Sequence, residues 1–251
     1  MHSKLTAAFN ERRALKAIAG LDNFDPQRVA IVVKAAAAGG ATFVDIAADP
    51  DLVRMSKQLC DLPVCVSAVE PELFLPALAA GADLIEIGNF DSFYARGIRF
   101  EAAEVLALTQ QTRQMLPDVT LSVTVPHILA LSEQVELAIS LVAAGADIIQ
   151  TEGGTSSNPQ HAGTLGAIEK AAPTLAAAAE ISRAIDIPVL CASGISAITA
   201  PLAIAAGAAG VGVGSAINKL DSEVAALATV RRLVESLNYQ RESFIRLKQI
   251  S

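Results

Sequence analysis

GADLIEIG, residues 81–88, decides the fold. A glycine ends an Ala-rich helical stretch, and a short β-branched run follows with one acid in its middle. The same template returns as GATFVD at 40–45, GADIIQ at 145–150 and GAAGVG at 207–212. Each leading glycine sits where a helix stops in a left-handed residue, a conformation cheap only for glycine. Outward from these units, Val/Ile-rich runs alternate with Ala/Leu-rich stretches along the chain. The strand-like runs cover 14–20, 42–47, 64–69, 83–88, 119–125, 147–151, 189–193 and 210–214. A helical stretch follows each, the last at 221–238. Eight strand–helix units predict the α/β class: a (β/α)8 TIM barrel, one domain over 1–251, with a short helix before strand one. A doubly wound open sheet would carry a Gly-rich fingerprint after strand one, and GLDNFD at 20–25 is not one.

Composition agrees. Of the 251 residues 52% are hydrophobic and only 4% aromatic, which suits a parallel sheet under Ala-rich helices. A net charge of −7 without a Lys/Arg cluster argues against nucleic acid. No uncharged apolar run is long enough to span a membrane. MHSKLTAAFNERR lacks the apolar core of a signal peptide. Cys60, Cys65 and Cys191 have no metal-ligand spacing and read as reduced thiols of a cytoplasmic protein.

The sixth residue of the template is Asp45, Glu86, Gln150 or Gly212. Its neighbours Val44, Ile46, Ile85, Ile87, Ile149, Val211 and Val213 are apolar and belong against the helices. Asp45, Glu86 and Gln150 must then point into the barrel, and alternate strands put them in one layer. Gly212 is expected to leave that layer open beneath strand eight. The same parity turns Leu15, Ala17 and Ala19 outward and Lys16 inward. An inward carboxylate needs a partner or solvent. Lys16 is therefore an ion-pair partner or a catalytic amine. Asp45 and Glu86 read as an acid–base pair, or as carboxylates holding a metal through water. The leading reading requires no metal.

Active sites of this fold lie where strands end and helices begin. Asp22 follows strand one, while Asp25 before Pro26 and Asp49 before Pro50 read as helix caps. Ser67 ends strand three, and Glu70 reads as a cap. After strand four, GNFDSFYARGIRF at 88–100 gathers Asn89, Asp91 and four aromatics, which suggests a lid or an oligomer contact. Strand five ends in Thr124 and leads to His127, placed for proton transfer near neutral pH. Strand six opens into a segment at 152–173 read as a functional loop. There Glu152 stands at the mouth, Gly153, Gly154, Thr155 and Ser156 offer donors to a polar substrate, and His161 lies nearby. After strands seven and eight, Ser193, Gly194 and Ile195, and Gly212, Gly214 and Ser215, supply the amides and helix start on which many barrels hold a phosphate.

Seven runs carry a resemblance over nearly the whole chain: KAIAGLDNFD, GATFVDIAADP, VCVSAVEPELF, GADLIEIGNFDSFY, SVTVPH, GADIIQTEGGTSSNPQHAGT and CASGISAITAPLAIAAGAAGVGVGSAIN. They resemble the conserved hypothetical chloroplast frame twenty-three family of cyanobacteria and algal plastids. The resemblance implies a TIM-barrel-like protein of cytoplasm or plastid stroma, and brings no activity with it. More loosely, 189–217 is similar to the phosphate end of ribulose-phosphate-binding barrels and thiazole synthases. GADIIQTEGG at 145–154, followed by ASGI at 192–195 and GAAGVGVGSAI at 207–217, also resembles the flavin layout of nitronate monooxygenase barrels, although Gly153, Gly154 and Thr155 stand where those carry Gly-Gly-His.

Three functions fit these residues. The first is an isomerase or lyase/synthase acting on a small phosphorylated metabolite. Lys16, Asp45, Glu86, His127 and Glu152 would do its chemistry, and Asp22, Ser67, Asn89, Thr124 and Gln150 would help to hold the substrate. The second is an FMN-dependent oxidoreductase using the same phosphate grip. The third is a non-catalytic phosphometabolite-binding regulator that presents the 88–100 loop. A homo-oligomer is compatible with all three.

Overall fold

A computed structural model describes residues 1–153 and 157–248, with side chains as far as residue 238. Eight parallel strands close into a barrel in chain order. They are β1 (Ala14–Gly20), β2 (Phe43–Ala47), β3 (Val64–Ala68), β4 (Leu84–Ile87), β5 (Leu121–Val125), β6 (Ile148–Thr151), β7 (Val189–Ala192) and β8 (Gly210–Val213). Helix α1 (Ser3–Asn10) precedes β1. The outer ring comprises α2 (Pro26–Gly39), α3 (Pro50–Leu59), α4 (Phe74–Ala79), the short α5 (Asp91–Tyr94), α6 (Ala102–Met115), α7 (Leu131–Ala143), α8 (Gly163–Ala184), α9 (Ala200–Ala205), the short α10 (Ser215–Asn218) and α11 (Glu223–Lys248). No helix among the described residues is long and apolar enough to cross a membrane.

Strand parity splits the apolar core in two. Leu15, Val44, Val66, Ile85, Val123, Ile149 and Val211 face outward and pack under the helices. Inside, Ala14, Phe43, Cys65, Leu84, Ile148 and Leu190 fill the bottom of the barrel, where Leu5, Ala8 and Phe9 of α1 plug it. Phe9 meets Phe43 edge-on, with ring centroids 6.3 Å apart. Arg12 pins the plug by donating to the carbonyls of Ala208 and Ile204.

Asp25 and Asp49 cap α2 and α3 as their Asp-Pro pairs predict, each accepting from two backbone N–H groups. The glycines that open the four repeats all have positive φ, from 87° at Gly40 to 121° at Gly207. Glu70 differs from expectation: it precedes a 3-10 turn at Pro71–Leu73, and its side chain makes no capping bond. The helical stretch expected at 221–238 begins at 223 and runs on to 248.

Three further expectations are corrected. The segment 152–173 is not one long loop. Helix α8 starts at Gly163 and carries Pro173 within it, because the Ala-rich run on both sides sustains the helix past the missing donor. The aromatics of 88–100 are not an exposed surface. Phe90 and Phe93 are buried, and their rings pack 4.6 and 5.4 Å from that of Phe100. Nor does Gly212 leave a gap. A Cβ there would lie 2.8 Å from Ala192 Cβ and 3.1 Å from Ile18 Cδ1, so neighbouring strands already fill the space.

Candidate active site

Lys16, Asp45, Glu86 and Gln150 meet in one buried layer, as parity predicts. Lys16 pairs most closely with Glu86, its Nζ 2.7 Å from Oε2, and lies 3.5 Å from Asp45 Oδ1. It also donates to Gln150 Oε1 at 3.1 Å. Gln150 Nε2 in turn donates to Glu86 Oε1 and to Thr124 Oγ1, while Ser122 donates to Glu86 and Ser67 to Asp45. Lys16, Asp45 and Glu86 are wholly inaccessible to solvent. Burial disfavours the Lys16 ammonium, but Asp45 and Glu86 outweigh it and the pKa moves up. Burial pushes the Asp45 carboxyl up to about 6, with Lys16 opposing and Glu86 adding to the rise. Asp45 Oδ2 has no hydrogen-bond partner among the described residues.

A second cluster lies at the strand mouths. His127 Nδ1 sits 3.2 Å from Asp91 Oδ1 and 3.1 Å from Glu152 Oε1. The backbone N–H of His127 also donates to Glu152 Oε1, and that of Asp91 to Glu152 Oε2. Tyr94 OH donates to Glu152 Oε1 at 2.5 Å, and Ser193 Oγ to Asp91 Oδ2 at 2.6 Å. Burial works against a charged imidazole, but the bonds to Asp91 and Glu152 prevail and lift His127 to about 9. Burial raises the Glu152 carboxyl, with His127 holding it back. Burial and the adjoining Glu152 together push the Tyr94 phenol up.

Above both clusters opens a cavity of about 410 Å³. Nine of the residues expected from sequence stand on its wall: Asp22, Asn89, Gln150, Glu152, Ser193, Gly194, Ile195, Gly214 and Ser215. Lys16, Asp45, Ser67, Glu86, Thr124 and Gly212 do not reach the wall. They belong to the layer beneath it, and Gln150 joins that layer to the cavity. His127 and Gly153 also stand behind the wall. Gly154, Thr155 and Ser156 lie outside the described residues.

The cavity wall also includes residues that the sequence reading did not select: Asp91, Lys170, Asn218 and Lys219. Asp91 follows β4 where loop-end acids stand, but the aromatics around it are the stronger sequence signal. Lys170 lies in the segment whose sequence reads as loop, and helix α8 is what carries it to the cavity. Among the described residues neither lysine has a carboxylate partner within ion-pair distance.

The backbone is strained where it borders the cavity. Ser193 and Asn89 adopt φ values of 71° and 69°, unusual for residues with a Cβ. Gly194 follows Ser193 at φ 76°, so two successive left-handed residues turn the β7 loop. Gly88 lies so close to β5 that a Cβ would sit 2.5 Å from Thr124 Cβ. Helix α10 spans only four residues. The dipole expected there from sequence is correspondingly small, and the loop amides and Lys219 are the donors that remain.

Comparison with known proteins gives close relatives in sequence and distant ones in structure. "Uncharacterized protein ycf23" of Cyanophora paradoxa is 42% identical over 240 residues, covering 95% of this chain and 98% of its own. Its namesake in Pyropia yezoensis is 36% identical over 239 residues, covering 95% and 88%. Among solved structures, a thiamine phosphate pyrophosphorylase from Pyrococcus furiosus superposes with a TM-score of 0.59 at 18% identity, over 92% of this chain and 98% of that one. The (S)-3-O-geranylgeranylglyceryl phosphate synthase from Thermoplasma acidophilum, in complex with sn-glycerol-1-phosphate, gives 0.61 at 15%, over 94% and 99%. At such identities the structural likeness establishes the TIM-barrel fold alone. The sequence evidence reaches further: residues 1–243 match the model described as "Protein of unknown function (DUF561)", and the chain belongs to that family.

Proposed function

We propose that the chain is an enzyme that binds a small phosphorylated metabolite and acts on it by proton transfer, as an isomerase or a lyase/synthase. The observation that carries this reading is the make-up of one cavity. One side offers the β7 and β8 turns with Ser193, Gly194, Gly214, Ser215 and Lys219. The other presents Asp91 and Glu152, with His127 paired to them from behind the wall. An anion held at the first side would keep its reacting end near the second. Glu152 borders the cavity, and burial leaves it easier to protonate than an ordinary glutamate. The thiamine phosphate and glyceryl phosphate neighbours carry phosphorylated compounds in their own names, which supports the same ligand class. In this reading Lys16, Asp45 and Glu86 are positioning residues that act through Gln150.

The test is a screen of phosphorylated small molecules against the full chain, scoring binding by thermal shift and consumption by mass spectrometry. The expected result is a compound that wild type binds and converts. Glu152→Gln should bind it with near-normal affinity but fail to convert it, and Lys219→Ala should bind it about tenfold more weakly. The proposal is overturned if no phosphorylated compound binds at millimolar concentration, or if Glu152→Gln keeps full turnover.

A further inference from the structure

The three ligand-type residues at the cavity mouth stand close enough to share one ion. We infer that Asp91, His127 and Glu152 form a site for a hard divalent cation of the magnesium or manganese class. Their donor atoms all lie within 4.8 Å of one another. The two edges from His127 Nδ1 measure 3.2 and 3.1 Å. An octahedral cation with ligands at 2.0–2.1 Å sets adjacent ligands about 2.9 Å apart. Tetrahedral zinc sets them about 3.3 Å apart. The observed edges fall between these values, and the donor set decides. Two carboxylates and one imidazole form an oxygen-rich set that favours the harder ions. Their charge of −2, with a neutral imidazole, matches a divalent cation.

The surroundings hold the ligands in place. Tyr94 and two backbone N–H groups orient Glu152, and Ser193 orients Asp91 through its other oxygen. Outer hydrogen bonds of this kind fix metal-binding carboxylates. In the cation-free protein a proton on His127 Nδ1 bonds to Glu152 Oε1, with Asp91 Oδ1 3.2 Å from the same nitrogen. A cation takes the place of that one proton and leaves the other bonds intact. Asp91 and Glu152 both border the cavity, so the open coordination face is directed toward an oxyanion bound there. The inference concerns the cluster used in the proposed function but does not rest on the phosphate reading. Metal titration scores the one, and substrate turnover scores the other.

The experiment is an electron paramagnetic resonance titration of the full chain with Mn²⁺ at fixed pH. Pulsed measurement of nitrogen coupling then follows on the bound ion. Wild type should bind one ion per chain at submillimolar concentration, with coupling to one imidazole nitrogen. Asp91→Asn should lose the ion. Tyr94→Phe, which keeps all three ligands, should weaken it about tenfold. Asp22→Asn, on the same cavity wall but outside the cluster, should bind as wild type does. Absence of Mn²⁺ binding at millimolar concentration would overturn the inference. So would a bound ion without nitrogen coupling, or equal losses in Asp91→Asn and Asp22→Asn.

Discussion

Replacing Lys16 with methionine removes the one cation from the buried layer and leaves the volume nearly unchanged. Glu86 then loses an ammonium at 2.7 Å, Asp45 loses one at 3.5 Å, and Gln150 Oε1 loses its donor. At an effective dielectric constant of 20, the Glu86 contact alone corresponds to about 6 kcal/mol of Coulomb attraction. The desolvation that burial of the ammonium demands offsets part of this. Breaking a buried pair from one side costs about 3–5 kcal/mol net. For a chain of this length that lowers Tm by roughly 6–20 °C. Urea denaturation at pH 8 measures it directly. The Lys16→Met/Glu86→Gln double variant should be more stable than Lys16→Met, since it buries one unpaired carboxylate, Asp45, where the single variant buries two. A loss under about 1 kcal/mol in the single variant would refute this account of the layer, as would a double variant less stable than the single.

The acid side of the same layer has its own signature. Folded Asp45 keeps its proton up to about 6, against 3.8 for the free group, so the folded state binds more protons than the unfolded one in that window. Its contribution to stability is therefore present at low pH and declines as pH rises from about 4 to about 6. The slope is at most about 1.4 kcal/mol per pH unit, and the difference between urea midpoints of wild type and Asp45→Asn isolates it. Gly88→Ala combines a φ of 125° with a Cβ 2.5 Å from Thr124. It should destabilise by about 2 kcal/mol or more and displace Asn89 from the cavity, read as a lowered Tm together with weakened ligand binding.

The barrel could be read from the chain because its signals are local and repeated. A glycine stop, a polar residue and a β-branched run recur at fixed spacing, and strand parity then assigns every inward side chain. That same parity placed Lys16, Asp45, Glu86 and Gln150 together without any knowledge of their neighbours. Depth along the barrel axis is not local. It depends on how strands are staggered, so the sealing of Lys16 beneath Ile18 and Gln150 could not be seen in either residue. Asp91 was missed for a related reason. Its value comes from His127 and Ser193, which stand 36 and 102 positions further along the chain. The aromatics beside it gave a louder but misleading signal, because hydrophobicity does not say whether a loop folds inward.

The plug at the bottom of the barrel also sets an order of events during synthesis. Leu5 and Phe9 leave the ribosome well before Ile148 and Leu190, the partners they need. Arg12 waits for a carbonyl 196 residues away. At about 5–20 residues per second, that wait lasts roughly 10–40 s. For this interval the nascent chain displays the apolar face of α1 with no finished surface to cover it. A cylinder closed from its first helix to its last strand keeps that face uncovered until β8 emerges.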